Sequence, residues 1–185
     1  SRIRSYTFRD CVSLTSVVIP NSVVSIEEGG FSNCINLKEI NIPSSMTNLG
    51  KNAFSGCSSL LSVQIPQLVS NIEEGVFSNC SSLASIDIPT SITSIGTNSF
   101  AGCSSLTSII IPSSVTKIGE GAFWRCVNLN SISIPDSLTS IENYTFEDCS
   151  SLKSIILPDS INIIGDGAFA ECVNLESIQL PSKIN

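Results

Sequence analysis

The fold is decided by a pattern seen in one stretch, Cys103-Ser-Ser-Leu106-Thr-Ser-Ile109-Ile-Ile111-Pro112-Ser-Ser-Val115-Thr-Lys-Ile118-Gly-Glu-Gly-Ala122-Phe123. The same pattern recurs every 23 residues, and every phenylalanine, cysteine and proline of the chain falls into one of its series. The series are Phe8, Phe31, Phe54, Phe77, Phe100, Phe123, Phe146 and Phe169; Cys11, Cys34, Cys57, Cys80, Cys103, Cys126, Cys149 and Cys172; and Pro20, Pro43, Pro66, Pro89, Pro112, Pro135, Pro158 and Pro181. A fixed period of this length predicts a solenoid, because one such unit cannot bury its own apolar face.

Each repeat contains the pattern of a short strand. The apolar spacing of two between Val17 and Ile19 predicts that both side chains point inward, while Ser16 and Val18 point outward. Pro20 ends the strand, since it has no N–H to donate to a neighbouring strand. Stacked repeats therefore predict a parallel sheet with a strand spacing of about 4.8 Å.

The rest of the repeat predicts a second extended piece and a corner. The extended piece covers roughly residues 23–26, and residues 27–34 form a turn with a single helical or 3₁₀ coil. We expect the glycines of this corner to supply backbone freedom there. They are Gly29, Gly75, Gly121 and Gly167.

The repeat closely resembles the BspA-like leucine-rich repeat. The resemblance rests on the Leu106-x-x-Ile109-x-Ile111-Pro strand and the Ile118-Gly-x-x-Ala122-Phe123 corner, and it covers essentially the whole chain. It implies a leucine-rich-repeat solenoid, a right-handed superhelix with a parallel β-sheet on one face and short extended or 3₁₀ segments at the other side. Residues 1–185 are then a single solenoid domain of about eight repeats, a fragment of a longer array.

Some repeats depart from the family pattern. Glutamate replaces the usual glycine at three positions, larger side chains replace the small alanine at two, and Gln-Leu replaces Ser-Ser in one repeat. These residues are Glu27, Glu73 and Glu142; Val76 and Thr145; and Gln67-Leu68. We expect them to disturb the corner locally without changing the fold.

The resemblance also implies a function. Proteins of this class are large surface-attached proteins of bacteria and parasitic protists, linked to adhesion and to binding host or matrix proteins. The resemblance therefore implies a protein–protein interaction module, an adhesin-like domain at the cell surface. The alternative is an intracellular interaction scaffold or regulatory leucine-rich-repeat protein in the cytoplasm.

Charge and composition exclude several other classes. The chain has nine basic and sixteen acidic residues, a net charge of −7, and its cations are scattered. Nucleic acids and anionic membranes require clustered cations, so neither is expected as a partner. No apolar stretch approaches the length of about 18 residues that spans a bilayer, so we expect no direct membrane insertion in this fragment. Because there is no histidine, no Ser-His or Cys-His dyad can form, and we predict no enzyme, no catalytic residues and no cofactor.

The eight cysteines allow three interpretations. Adjacent turns would place their Cα atoms close enough for a disulfide, but a column of small buried thiols fits the period better. A zinc site needs ligand pairs that this sequence lacks, so we predict no metal. Free thiols favour a reducing compartment, which argues against the cell surface, although burial can protect them.

The outward strand positions form the candidate interaction face, because they vary while their inward neighbours hardly change. They are Val18, Asn41, Gln64, Asp87, Ile110, Ser133, Ile156 and Gln179. Ile110 and Ile156 would serve as apolar anchors, with Asp87 and Gln64 beside them for polar contacts. Strand propensity alone is the alternative explanation for exposed aliphatic residues.

Three further features are secondary candidates. Trp124 and Arg125 could form a binding pair at the corner, or Trp124 could be a partly packed surface aromatic. The paired acids Glu27-Glu28 and Glu73-Glu74 could hold a cation weakly or simply be solvated. Two glycosylation patterns occur, Asn79-Cys80-Ser81 and Asn143-Tyr144-Thr145, and both matter only in a secreted protein.

The ends of the array carry no obvious polar cap. We therefore expect exposed apolar columns there, with end-to-end self-association or fraying of the first and last turns.

Overall fold

The computed structural model describes residues 1–182 and 184, and it contains parallel strands and reverse turns. The strands are β1 Arg2–Ile3, β2 Ser16–Val18, β3 Ser25–Ile26, β4 Glu39–Asn41, β5 Asn48–Leu49, β6 Asn71–Ile72, β7 Ser94–Ile95, β8 Ser108–Ile110, β9 Lys117–Ile118, β10 Ser131–Ser133, β11 Ser140–Ile141, β12 Ser154–Ile156, β13 Ile163–Ile164 and β14 Ser177–Gln179. All pair in parallel, residue n with residue n+23. The predicted solenoid is confirmed, and we number its turns 1 to 8 by their phenylalanines, from Phe8 to Phe169.

Two columns of strands run along the solenoid. The first contains β2, β4, β8, β10, β12 and β14, and the second contains β1, β3, β5, β6, β7, β9, β11 and β13. In the first column the middle residue packs inward and its two neighbours are exposed, as in β8, where Ile109 is buried between Ser108 and Ile110. The predicted alternation of inward and outward positions is therefore confirmed.

The corner around each phenylalanine differs from the 3₁₀ coil that we expected. At alternate residues the N–H donates to the carbonyl three residues back, as from Ser55 to Asn52. At the residues between, the N–H donates to the next turn, as from Phe54 to Val76. No 3₁₀ helix forms in the described residues, because half of the donors needed for it bind the neighbouring turn instead.

The same corner has a left-handed backbone at two positions of every turn, two residues before and two residues after the phenylalanine. Gly29, Gly75, Gly121 and Gly167 occupy this conformation, which confirms their predicted role. Ten other positions are not glycine, among them Asn33, Asn52, Asn79 and Asn98. Asparagine tolerates this region better than most residues, which explains its frequency here.

The core consists of stacked identical side chains. The six phenylalanines from Phe31 to Phe146 are fully buried, and neighbouring rings stack with centroids 5.0 to 5.8 Å apart along the whole column. The conserved spacing also buries a leucine and a cysteine in each interior turn, such as Leu106 and Cys103. Each turn thus buries its apolar side chains mainly against the turns on either side.

The outermost turns are less well covered. Phe8 is 37% exposed, and Val173 and Leu180 of turn 8 are also exposed. The expected exposure at the end turns is present. Self-association, the handedness of the superhelix and the position of this domain in a longer array stay predictions.

Candidate binding face

All eight outward residues of the first strand column are exposed to solvent, and we call them the strand face. Three aliphatic side chains project furthest: Val18 is 79% exposed, Ile110 78% and Ile156 67%. Serines accompany them two positions earlier in the strand, such as Ser108 beside Ile110. The strand face therefore presents isolated aliphatic side chains on a hydroxyl-rich surface.

On the strand face, each turn pairs with only one of its two neighbouring turns. Val18 pairs with Asn41, Ile110 with Ser133 and Ile156 with Gln179, and an isolated bridge joins Gln64 to Asp87. These pairs join turns 1 and 2, 3 and 4, 5 and 6, and 7 and 8. In the first column no strand pairing joins turn 2 to 3, 4 to 5, or 6 to 7 within the described residues.

Open grooves lie at these three unpaired junctions. The groove between turns 6 and 7 has a volume of about 500 Å³, the groove between turns 4 and 5 about 400 Å³, and the groove between turns 2 and 3 about 360 Å³. Sequence reasoning missed them, because a pattern with a period of 23 residues makes every junction alike. The strand face thus consists of pairs of hydrogen-bonded turns, with a groove between one pair and the next.

The three grooves differ chemically. Asp87 and Ile110 line the groove between turns 4 and 5, and Asp136 and Ile156 line the groove between turns 6 and 7. Each of these two grooves therefore combines a carboxylate with an exposed isoleucine. The groove between turns 2 and 3 has amide and hydroxyl groups beside its apolar wall, from Asn21, Asn41, Ser44, Gln64 and Gln67. An adjoining hollow of about 430 Å³ across turns 1 to 3 adds a carboxylate, Glu39, and the exposed Val18.

A two-turn alternation also exists at the corner. The residue two before each phenylalanine alternates between a larger side chain and glycine, in the order Tyr6, Gly29, Asn52, Gly75, Asn98, Gly121, Tyr144, Gly167. A Cβ on Gly75 would collide with the Asn52 side chain, and one on Gly167 would collide with Tyr144. The side chain in each odd turn therefore fills the space that a side chain in the following turn would take. At this position the corner groups the same turns into pairs as the strand face does. Two residues after the phenylalanine the grouping is the opposite, because Gly56 faces Asn33 and Gly102 faces Asn79.

Trp124 and Arg125 lie at the corner, away from the strand face. Trp124 is partly exposed, and the Arg125 guanidinium lies 5.8 Å from its ring centroid, within the range of a cation–π contact. Arg125 Nε is also 3.5 Å from a carboxylate oxygen of Asp148. The structure thus brings this pair together, and its role in binding stays a prediction.

The thiols form a buried column with a specific partner. In seven turns the cysteine Sγ donates to the carbonyl of the phenylalanine 26 residues earlier, at 3.1 to 3.3 Å; Cys103 to Phe77 is one example. Burial raises the pKa of the Cys80 thiol to about 12 and also raises the pKa values of Cys103 and Cys126. These thiols stay protonated at neutral pH, where the reactive thiolate form is scarce.

The paired acids of the corner are bound to neighbours or solvated. Glu27 pairs with Arg2 at 3.1 Å, and Glu74 pairs with Lys51 at 3.0 Å, with the four side chains between 30 and 64% exposed. The hydrogen bond and charge of Glu74 raise the pKa of Lys51. In the described residues, no group of three or more His, Cys, Asp or Glu side chains is arranged to hold a metal ion.

The two glycosylation patterns fall at different levels of exposure. Asn79 is exposed, but Cys80 beside it is fully buried. The side-chain oxygen Oδ1 of Asn143 accepts a hydrogen bond from the Asp166 N–H, and Thr145 is buried. Both patterns therefore lie in tightly packed corners.

Within residues 1–182 and 184, no helix has the length and apolar character needed to cross a bilayer.

Comparison with known proteins identifies the repeat. A leucine-rich repeat protein of Bacteroides ovatus has a structure with a TM-score of 0.89, 40% identity and coverage of 92% of this chain and 46% of its own. A leucine-rich repeat protein of T. pallidum has a structure with a TM-score of 0.82 and 30% identity, and the match covers 94% of this chain and 82% of that protein. A leucine-rich repeat protein from Eubacterium ventriosum has a TM-score of 0.76 and 30% identity, and the match covers 93% of this chain and 46% of that protein. The chain thus spans about half the length of the first and third of these proteins.

A comparison with curated proteins gives no match. A family model, however, also identifies the repeat. The model of the BspA type leucine rich repeat region matches residues 1–129 and 79–185, in six copies. Together the two matches span the chain, which therefore belongs to the BspA-type leucine-rich repeat family.

Proposed function

We propose that this chain is a cell-surface binding module that grips a protein ligand, a host, matrix or cellular protein, through its strand face. Leucine-rich repeats of this kind generally act as protein-interaction modules and are typically not enzymes. The surface-attached, adhesive members described for the family support the location.

The observation that carries the proposal is the exposure of Val18, Ile110 and Ile156 on the strand face. Burying one large aliphatic side chain contributes about 1.5–3 kcal/mol, so three such anchors supply much of a specific contact. The serines around these three residues are small, so a partner surface can reach the aliphatic side chains without steric obstruction. The buried columns beneath hold the strands in place, so binding orders few additional groups.

The buried thiols favour a second candidate, an intracellular scaffold. All eight cysteines are unpaired in the structure, and unpaired cysteines are usual in reducing compartments. The raised pKa of Cys80 supports the surface location equally, because a protonated buried thiol resists oxidation. The N-terminal sequence of the full-length protein separates the two, since a secretion signal supports the surface module and a cytoplasmic protein lacks one.

The experiment uses the purified chain coupled to beads and measures bead adhesion to immobilised extracellular-matrix proteins. We expect adhesion of the wild-type chain and loss of most of it in the triple variant Val18→Ser/Ile110→Ser/Ile156→Ser. Circular dichroism and thermal unfolding confirm that this variant is folded.

A matched variant tests the opposite surface. Trp124→Ser removes an exposed aromatic side chain at the corner and leaves the strand face intact. Loss of adhesion in Trp124→Ser but not in the triple variant would place the contact at the corner and overturn the proposal. Adhesion that survives both changes would overturn it as well.

A further inference from the structure

The groove between turns 6 and 7 continues into a second hollow of about 670 Å³, which Lys153 lines. The two hollows share Asn130 and Ser154, and we call them together the trough. Because Lys153 directly precedes β12 and Asp136 follows β10, the trough runs along the strands with one of these residues at each end. Ile156, which is 67% exposed, lies between the two ends. The trough therefore presents a cation, an aliphatic side chain and a carboxylate in this order.

The junction beneath the trough lacks a hydrogen bond that the other two unpaired junctions have. In those junctions an N–H at the start of the strand segment donates to the turn before it, as from Thr107 to Ala84 at 3.4 Å. The equivalent bond, from Lys153 to Asn130, does not form. The trough therefore lies where neighbouring turns are least connected on the strand face, and a ligand that fills it disrupts no strand pairing.

The charged groups at the two ends of the trough form no ion pair in the described residues. Lys153 and Asp136 both lack an opposite charge within ion-pair distance. Glu176 occupies the position of Lys153 in turn 8, but it does not line the trough. Asp159 occupies the position of Asp136 in turn 7, accepts a hydrogen bond of 3.0 Å from the Ser182 N–H, and adds a second negative charge at that end. A ligand with the opposite charge at each end therefore displaces no existing ion pair.

The hollows at the other two unpaired junctions lack this combination of charges. The groove between turns 4 and 5 contains Asp87 and Ile110, but Thr107 occupies the lysine position in turn 5. The hollows across turns 1 to 3 contain Glu39 and Val18, and no lysine or arginine lines them. A binding preference that depends on both charges is therefore specific to the trough.

We infer that the trough binds an extended peptide segment of the protein ligand, with an acidic residue for Lys153, a basic residue for Asp136 and aliphatic residues between them for Ile156. This inference rests on the proposed function and names the chemistry of its ligand. The extended residues from Lys153 to Pro158 span about 16 Å, a distance that an extended peptide covers in about four to six residues. Every second side chain of an extended peptide lies on the same face, so the three kinds of side chain can enter the trough together.

The test uses a fluorescent peptide with blocked ends, Glu-Ser-Leu-Ser-Val-Ser-Lys, and measures its binding to the purified chain by fluorescence polarisation. We expect saturable binding that weakens as the salt concentration rises from about 0.1 to about 0.5 M. Peptides with glutamate at both ends or lysine at both ends should bind at least about tenfold more weakly, because each places like charges together at one end of the trough. Equal binding of all three peptides would overturn the inference.

Charge reversal assigns each end of the trough. Lys153→Glu should make the peptide with two lysines the tightest of the three, and Asp136→Lys should do the same for the peptide with two glutamates. The matched controls Lys117→Glu and Asp87→Lys make the same charge changes at other exposed positions and should keep the wild-type order of affinities. A control that changes this order as much as the trough variant does would show general charge attraction and overturn the inference.

A third pair of variants tests the aliphatic contact. Ile156→Ser should weaken binding of the mixed-charge peptide about tenfold or more. Ile110→Ser is the matched control, because Ile110 has the equivalent position two turns earlier, is 78% exposed and lies outside the trough. Equal weakening in both variants would show that the peptide does not select the trough.

The outcomes separate this inference from the proposed function. If bead adhesion depends on the strand face but the mixed-charge peptide does not bind, the ligand chemistry is wrong and the binding module stands. If the peptides respond to charge reversal as expected but the beads do not adhere to matrix proteins, the trough stands and the proposed matrix ligand is wrong.

Discussion

The corner and the strand face are built from the same turns, yet they are held together differently. At each of the seven junctions between turns, three N–H groups around the phenylalanine donate to the next turn without interruption. On the strand face, the part of the chain that the structure describes has no pairing between neighbouring turns at every second junction. The comparison shows that the corner connects all turns, which leaves the strand face free to vary and to open into grooves.

The largest expected effect is the loss of a corner phenylalanine. Phe100→Ala removes a fully buried ring stacked between Phe77 and Phe123, and we expect it to lower the free energy of unfolding by about 3–5 kcal/mol. Urea titration measures this. Phe8→Ala is the matched control, because Phe8 stacks on one side only and is partly exposed. Equal losses of unfolding free energy at both positions would contradict the view that a ring stacked on both sides contributes more than a ring at the end of the column.

A second prediction tests the pairing of turns by deletion. Deleting residues 75–97 removes one turn and places Asn98 next to Asn52, where a side chain would meet the Asn52 amide. The deletion itself removes buried contacts, so the matched comparison is this single-turn deletion with and without Asn98→Gly. We expect Asn98→Gly to raise the free energy of unfolding of the shortened protein by on the order of 1–2 kcal/mol in urea titration, since overpacking is costly. A shortened protein that Asn98→Gly does not stabilise would refute the two-turn unit.

A third prediction concerns pH and the thiols beside the corner. The pKa of Cys80 is about 12 in the folded chain against 9.0 for an ordinary thiol. The unfolded thiol therefore loses its proton first, so this contribution to stability is complete below about pH 9 and declines as pH rises towards 12. Between pH 9 and pH 10 we expect the free energy of unfolding of the wild type to fall by about 1 kcal/mol more than that of Cys80→Ala, with reductant present. Parallel pH profiles of the two proteins would exclude this role.

The smallest effect is expected on the strand face itself. Ile110→Ser changes a side chain that is mostly solvated, so the free energy of unfolding should shift by no more than about 0.5 kcal/mol. Ile109→Ser, one residue earlier, places a hydroxyl in the core and should cost several times more. Thermal unfolding of both variants gives the comparison. A large loss of stability in Ile110→Ser would mean that this residue supports the fold.

The sequence predicted the features that repeat identically and missed those that repeat in pairs. Burial of Phe100, Cys103 and Leu106 follows from a single period, because identical stacked positions share one environment. The alternation of Asn52 and Gly75 is present in the sequence, but its packing consequence depends on which side chains face each other across a junction. The broken strand pairing could not be predicted, since it depends on small differences in distance between turns.

The chemistry of the candidate face was predicted only in part. The outward positions of Val18, Ile110 and Ile156 follow from strand alternation. The grooves that place Asp136 beside Ile156 depend on how two turns separate, and no single repeat contains that information. The hydrogen bond from each cysteine to a phenylalanine carbonyl was likewise missed, because the spacing suggested only a small apolar side chain.

The uninterrupted corner hydrogen bonds have a direction. Every N–H in this series points from one turn towards the next turn along the chain, as from Gly75 to Thr97. Wherever an array of such turns stops, the corners of its two end turns are therefore chemically unlike: one presents open carbonyl acceptors and the other open N–H donors. A segment that covers the first must donate hydrogen bonds, and a segment that covers the last must accept them or carry negative charge, as at a helix N-terminus. Caps for the two ends of these solenoids are not interchangeable.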